Sequence, residues 1–411
     1  MKVLRLLLLT LLAGSFLTAN AQEKKKRNAD GTINLESEMP ADAHHLALGD
    51  AAPDFSLLGV DGKTYSLADF KDAPVLMVVF LSNHCPYSHA AETRLLPLAR
   101  EFQGKGLAVV SINPNSPEGV DVGELGYSKY NDSYEEMKLY AKEQGFPFPY
   151  LNDGDTQQTA KNYGCLATPH VFLFDAQRKL RYVGRVDDSR FADPATVKSF
   201  DARNAVVEML AGKPVTVAKT SVVGCSTKWN SNKADIAKIA EKWAQEPVNL
   251  DPIDAAGVAK LAKNGSNRLR LINVWATWCA PCVAEFPELV SLARRLNNRD
   301  FEMITISLDD PKDTAQAKQF LEKQHAATPN RLKRLIAAEG RDAVNYIYTE
   351  SSTDALVKAL DPAWPGPLPH TVVISPGGEI IYRHDGAIDP VELRAKVIAA
   401  LGPYYTPGSG K

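Results

Sequence analysis

Cys279 and Cys282, three positions apart, stand where an apolar, β-branched run gives way to residues at helical spacing. Leu271-Ile272-Asn273-Val274-Trp275 has the length of a strand, and Val283, Phe286, Leu289, Val290, Ala293 and Leu296 recur as one helix face. The spacing predicts strand, dithiol, helix. A thiol at a helix N-terminus meets free backbone N–H groups and the positive end of the macrodipole, which stabilise its thiolate. Cys279 is therefore the expected attacking sulfur. Cys282, on the same helix face, is placed to attack a mixed disulfide and release the reduced partner. Pro281 fits the first turn, where its missing N–H costs nothing. A zinc site would need two further ligands at short spacing, and Cys85, Cys165 and Cys225 stand alone.

The stretch from Val274 to Cys282, followed by Glu285 and Pro287, resembles the active site of the TlpA/ResA-like branch of the thioredoxin family. The resemblance implies a central sheet with helices on both faces and a cis-proline loop opposite the dithiol. Asn273 stands where cytoplasmic thioredoxins carry a buried carboxylate, so the proton acceptor for Cys282 is not identified by the resemblance. Glu285 and Glu350 are candidate relays, and each reads as solvated surface.

The chain also repeats itself. At an offset of 194, Cys85 falls on Cys279, Leu95 on Leu289 and Leu98-Ala99-Arg100 on Leu292-Ala293-Arg294; at an offset of 200, Pro169-His170 falls on Pro369-His370 and Tyr182 on Tyr382. The fold class read from this is α/β, two tandem thioredoxin-like folds, each a central mixed sheet flanked by helices. By resemblance, Pro169 and Pro369 are the cis-prolines that face the active cysteines. A proline there donates no backbone hydrogen bond, which leaves the backbone of residue 168 or 368 free to pair with a substrate peptide.

Residues 46–212 form the expected first domain, with strands at 75–81 and 107–113, helices at 86–102, 133–144 and 195–210, and a hairpin of 171–174 with 180–186. Ala52-Pro53-Asp54-Phe55-Ser56-Leu57, Asp61-Gly62-Lys63 and Tyr65-Ser66-Leu67 resemble the entrance of the AhpC/TSA peroxiredoxin-like (redoxin) family. In Asn83-His84-Cys85-Pro86-Tyr87-Ser88-His89 the place of a second cysteine is taken by Ser88, so Cys85 cannot close a local disulfide. Three uses of Cys85 compete. As a peroxidatic thiolate it would become a sulfenic acid resolved by another thiol, although Val78 and Ser82 replace the family's usual proline and threonine. As an exchange thiol its partner would be Cys165, four residues before Pro169. As a metal ligand it would join His84, His89 and His170 in a copper site. Cys225 reads as a buried or linking cysteine.

Residues 1–21 read as a cleavable signal peptide, with Lys2 and Arg5 before the apolar Leu6 to Leu12, and Ala19-Asn20-Ala21 before Gln22. The apolar run is shorter than the ~20 residues that span a bilayer, and no cysteine follows for a lipid anchor. An exported, periplasmic protein without stable membrane insertion is expected. A polar segment (22–45), a linker (213–245) with a β-like run at 215–223, and a TlpA/ResA-like second domain (246–411) complete the chain. The formal charge of −2 becomes −4 when Lys2 and Arg5 leave, and its interspersed pattern suggests no nucleic-acid partner. The expected activity is thiol-disulfide exchange at the redox-active Cys279–Cys282 disulfide, with no other cofactor. Its substrates would be disulfide-containing proteins or peroxide, and its electron donor a membrane thiol-reducing system or equivalent. Cys279–Cys282 would also reduce the oxidised first domain through an internal relay. Two rival readings make the first domain a non-catalytic docking module or a copper-handling redoxin.

Overall fold

The computed structural model describes residues 34–407. The signal peptide at 1–21 and the first part of the polar segment, to residue 33, lie outside the described residues. The first sheet is built from β1 (Ser56–Gly59), β2 (Thr64–Ser66), β3 (Val75–Phe80), β4 (Leu107–Asn113), β5 (Tyr150–Asn152), β7 (His170–Phe174) and β8 (Leu180–Gly184), while the two-residue β6 (Ala167–Thr168) stands apart from it. Its seven strands run in the order β2-β1-β5-β4-β3-β7-β8. The interior strand β3 explains the layering. Side chains alternate across a strand, and here Val75, Met77 and Val79 enter one core while Leu76, Val78 and Phe80 enter another on the opposite face. A continuous apolar run is what burial on both faces requires.

After the short β9 (Cys225–Ser226), the second sheet comprises β10 (Asp251–Ile253), β11 (Leu269–Trp275), β12 (Phe301–Ser307), β13 (Asn345–Tyr348), β14 (His370–Ile374) and β15 (Ile380–Asp385), in the order β10-β13-β12-β11-β14-β15. The repeat is visible in the register. β3 pairs antiparallel with β7, Phe80 opposite His170, and β11 pairs antiparallel with β14, Val274 opposite His370. The same two sequence offsets relate these two pairs. From β3 the chain enters the helix Pro86–Phe102, and from β11 the helix Ala280–Arg295.

Two expected elements differ. The helix expected from residue 195 begins at Asp201, after a separate 3-10 turn at Pro194–Thr196. The Asp188 carboxylate accepts from the backbone N–H groups of Lys198 and Ser199, which holds that stretch out of the helix. The β-like run 215–223 makes no strand; it touches β8 through a bridge between Val183 and Lys219.

The domains meet at the far end of the helix Ala280–Arg295. Buried Arg295 donates to the carbonyls of Leu125, Ser128 and Tyr130, and Arg299 donates to that of Gly126 while its guanidinium lies 3.9 Å from the Tyr127 ring centroid. A Cβ on Gly126 would meet the Arg295 carbonyl oxygen at 2.8 Å, so the approach requires glycine. Arg299 also holds the carbonyls of Leu401 and Gly402, directing the C-terminal segment toward the first domain. Leaving buried carbonyls unpaired costs about 1–3 kcal/mol. Arg295→Ala is therefore expected to lower the urea midpoint and expand the chain in solution scattering; unchanged scattering would show that this guanidinium does not hold the domains together.

Candidate active sites

In the second domain, β11 delivers the chain to a turn fixed by the buried Asp309. Its carboxylate accepts from the Thr277 backbone N–H and hydroxyl, at 3.1 and 2.6 Å, and from the Ser307 hydroxyl. Cys279 is the N-cap of the helix Ala280–Arg295, its sulfur accepting from the Cys282 N–H at 3.4 Å, and the two cysteines form a disulfide. Cys282 is fully buried, Cys279 lies just beneath the surface, and the adjoining Trp278 is 69% exposed. The Leu368-Pro369 peptide is cis, and Leu368 packs against the cluster that holds both cysteines.

Glu285 is not the solvated residue expected from the sequence. It is buried; its Oε1 accepts from Asn273 at 3.0 Å and its Oε2 from the Ile388 N–H at 2.8 Å. The same Asn273 amide donates to Thr371. A buried carboxylate is thus present beside Asn273, supplied by the helix one turn beyond Cys282 rather than by the strand. Burial raises its pKa above the ordinary range of a glutamate. Glu350 accepts from the Ala255 N–H and the Tyr348 hydroxyl and is exposed.

In the first domain, Cys85 is the N-cap of the helix Pro86–Phe102 and is fully buried. Its loop is anchored by the buried Asp132, which accepts from the Asn83 N–H, Asn113 and Asn115 and lies 2.5 Å from His84 Nδ1. Burial opposes the charge on His84, but Asp132 outweighs it and raises the imidazole's pKa; the same pairing lowers that of Asp132. Burial likewise opposes the Cys85 thiolate, yet a hydrogen bond from Cys225, the charge of His84 and the Ser88 N–H lower its pKa to about 5. Thr168-Pro169 is cis, as Leu368-Pro369 is.

The sulfur beside Cys85 is that of Cys225, 2.8 Å away, and not that of Cys165. Cys165 lies in the apolar core, its sulfur against the Ala167 carbonyl and the Thr227 hydroxyl, and burial raises its pKa. Nor do the four candidate copper ligands converge. His84 is held by Asp132, His89 lies between the Asn83 and Pro403 carbonyls, and His170 accepts from the Leu166 N–H. Among the described residues no three His, Cys, Asp or Glu side chains are grouped to hold a metal ion. Sequence reasoning missed Cys225, Asp132 and Asp309 as site residues. Cys225 alone had a signal, its glycine neighbour, since glycine permits close backbone approach.

Residues 48–183 match the AhpC/TSA family and residues 258–397 match Redoxin. With the two sheets, these matches give a tandem of thioredoxin-like domains. The chain is 26% identical over 153 residues to the thiol-disulfide oxidoreductase ResA of Oceanobacillus iheyensis, which covers 37% of this chain and 62% of that protein. It is 32% identical over 120 residues to a DsbE homolog, a thiol:disulfide interchange protein of Paracoccus denitrificans, covering 29% of this chain and 52% of that one. The chain thus spans less than two thirds of either relative. A crystal structure of a hypothetical protein from Sinorhizobium meliloti 1021 is 37% identical, with 46% of this chain and 98% of that one covered at a TM-score of 0.41. Among the described residues no helix is long and apolar enough to cross a membrane.

With Cys279 and Cys282 both replaced by serine, thiolate absorbance at 240 nm should show a step near pH 5 from Cys85, with Cys165 and Cys225 still protonated there. His84→Asn should move that midpoint upward by about a unit or more. A first step above pH 8 in the parent would contradict the site's electrostatics.

Proposed function

For a chain carrying an AhpC/TSA-family domain followed by a Redoxin domain, we propose an exported thiol-disulfide oxidoreductase that reduces protein disulfides through Cys279 and Cys282. The observation that carries this reading is the cysteine pair at a helix N-terminus beneath exposed Trp278, next to a backbone edge at Leu368 that pairs with no strand among the described residues. The relatives named as thiol-disulfide oxidoreductases support it. Reduced Cys279 attacks a substrate disulfide, releasing one substrate thiol and forming a mixed disulfide. Cys282 then attacks the Cys279 sulfur, releasing the second thiol and leaving Cys279–Cys282 oxidised. Glu285 takes the proton of Cys282 in that step. Pro369, unable to donate, leaves the substrate backbone to pair with Leu368.

Export rests on the signal-like residues 1–21, and a periplasmic location requires a reductant such as a membrane thiol-reducing system. No other cofactor enters the scheme. A second activity, reduction of a hydroperoxide at Cys85, is supported by the thiolate held at about pH 5. The internal relay, in which Cys279 and Cys282 reduce the oxidised first domain, belongs to the same proposal. The helix Ala280–Arg295 holds Cys279 about 24 Å from the end that grips the first domain, at 1.5 Å per residue.

Cys279→Ser should abolish reduction of insulin disulfides, and Cys165→Ser should leave it unchanged; retained activity without Cys279 would contradict the proposal. Glu285→Gln should slow turnover about 10²-fold, the usual size of a general-base contribution, with the loss smallest at high pH, where Cys282 ionises unaided. A loss equal at all pH values would remove Glu285 from the proton transfer.

A further inference from the structure

The segment joining the domains lies across a backbone edge that faces the reactive cysteine of the first. β9 runs antiparallel to β6, Cys225 opposite Thr168 and Ser226 opposite Ala167, immediately before cis-Pro169. An open edge of this kind is where an extended peptide adds as a strand. The crossing is close by construction. A Cβ on Gly224 would lie 2.3 Å from the Thr168 carbonyl oxygen, so no side chain fits before Cys225. Downstream, the Thr227 N–H donates to the Leu166 carbonyl at 3.2 Å, Lys228 is held by Asn115 and Gln157, and Trp229 is 2% exposed. The outcome is a Cys225 sulfur 2.8 Å from that of Cys85, which also lies 3.1 Å from the Thr168 carbonyl oxygen. The corresponding edge of the second domain, at Leu368, carries no such strand among the described residues.

We propose that β9 is a tethered substrate strand and that Cys225 is the resolving thiol of Cys85, so that the first domain cycles between a Cys85/Cys225 dithiol and a Cys85–Cys225 disulfide. This rests on Cys85 being the reactive thiol of that domain, whichever oxidant meets it. With a hydroperoxide, the Cys85 thiolate attacks the terminal oxygen, the O–O bond breaks, and the alkoxide leaves as the alcohol after taking a proton from solvent. The sulfenic acid so formed is attacked by Cys225; the S–S bond forms, and hydroxide departs as water with the proton of Cys225. With a small disulfide, Cys85 forms a mixed disulfide and expels one thiol, and Cys225 expels the second. In each case two thiols supply the two electrons that the oxidant accepts. The protonation states suit this order. Cys85 is the thiolate, while its hydrogen bond with Cys225, together with burial, raises the Cys225 pKa well above its ordinary value. Because β9 occupies the edge, an extended protein disulfide is excluded, and the oxidant is a small molecule.

The test uses the full chain with Cys279 and Cys282 replaced by serine, reduced, and treated with one equivalent of hydrogen peroxide or, separately, hydroxyethyl disulfide. The cysteines are then alkylated and mapped by mass spectrometry. The expected product is a Cys85–Cys225 disulfide that persists in Cys165→Ser. In Cys225→Ser, Cys85 should instead accumulate as a dimedone-reactive sulfenic acid or as a mercaptoethanol mixed disulfide. A Cys85–Cys165 bond, a stable Cys85 adduct beside a free Cys225, or a Cys85 that reacts with neither oxidant would overturn the proposal. A Cys85–Cys225 disulfide formed with hydroxyethyl disulfide but not with peroxide would uphold the couple and remove the hydroperoxide activity proposed above.

Discussion

In each half of this chain a strand buried on both faces delivers a cysteine to the first turn of a helix, beside a strand that begins after a cis X-Pro bond. The burial fixes the strand, the strand fixes the helix start, and the helix start stabilises the thiolate. Phe80 opposite His170 and Val274 opposite His370 are the same constraint expressed twice. What differs between the halves is what lies over the cysteine.

Over Cys279 there is little: exposed Trp278 and a Leu368 backbone without a paired strand among the described residues. Over Cys85 lie β9 and a group of tyrosines, with Tyr405 from the C-terminal segment 5.1 Å from both Tyr87 and Tyr127. Both covers are ordered by the rest of the chain. Arg299 directs residues 401–402 toward the first domain, and Trp229 pins the segment that follows β9. One fold thus presents an open thiol pair and a closed one.

Much of this was legible in the sequence because it follows from local periodicity. The strand at Leu107–Asn113 and the helix at Pro86–Phe102 have the expected bounds, since a short apolar run and an N-terminal proline are local signals. The contacts that complete the sites are not local. Cys225 reaches Cys85 across 140 residues, and Asp132 reaches His84 across 48. Glu285 looked solvated because a charged residue on a helix usually is; it is buried because Asn273 and the Ile388 N–H satisfy its oxygens. Arg270 and Glu302 similarly interrupt apolar strands, yet they face each other in register on β11 and β12 and pair in the interior. Pairwise satisfaction of this kind leaves no mark on a single segment.

The central claim is that the first domain holds its own connecting strand as a substrate would be held. Amide hydrogen exchange across residues 224–229 of the fully reduced chain measures this directly. The structure predicts strong protection at Thr227 and Lys228, whose N–H groups are bonded to Leu166 and Asn115. Exchange at the rate of an unstructured peptide there would contradict it.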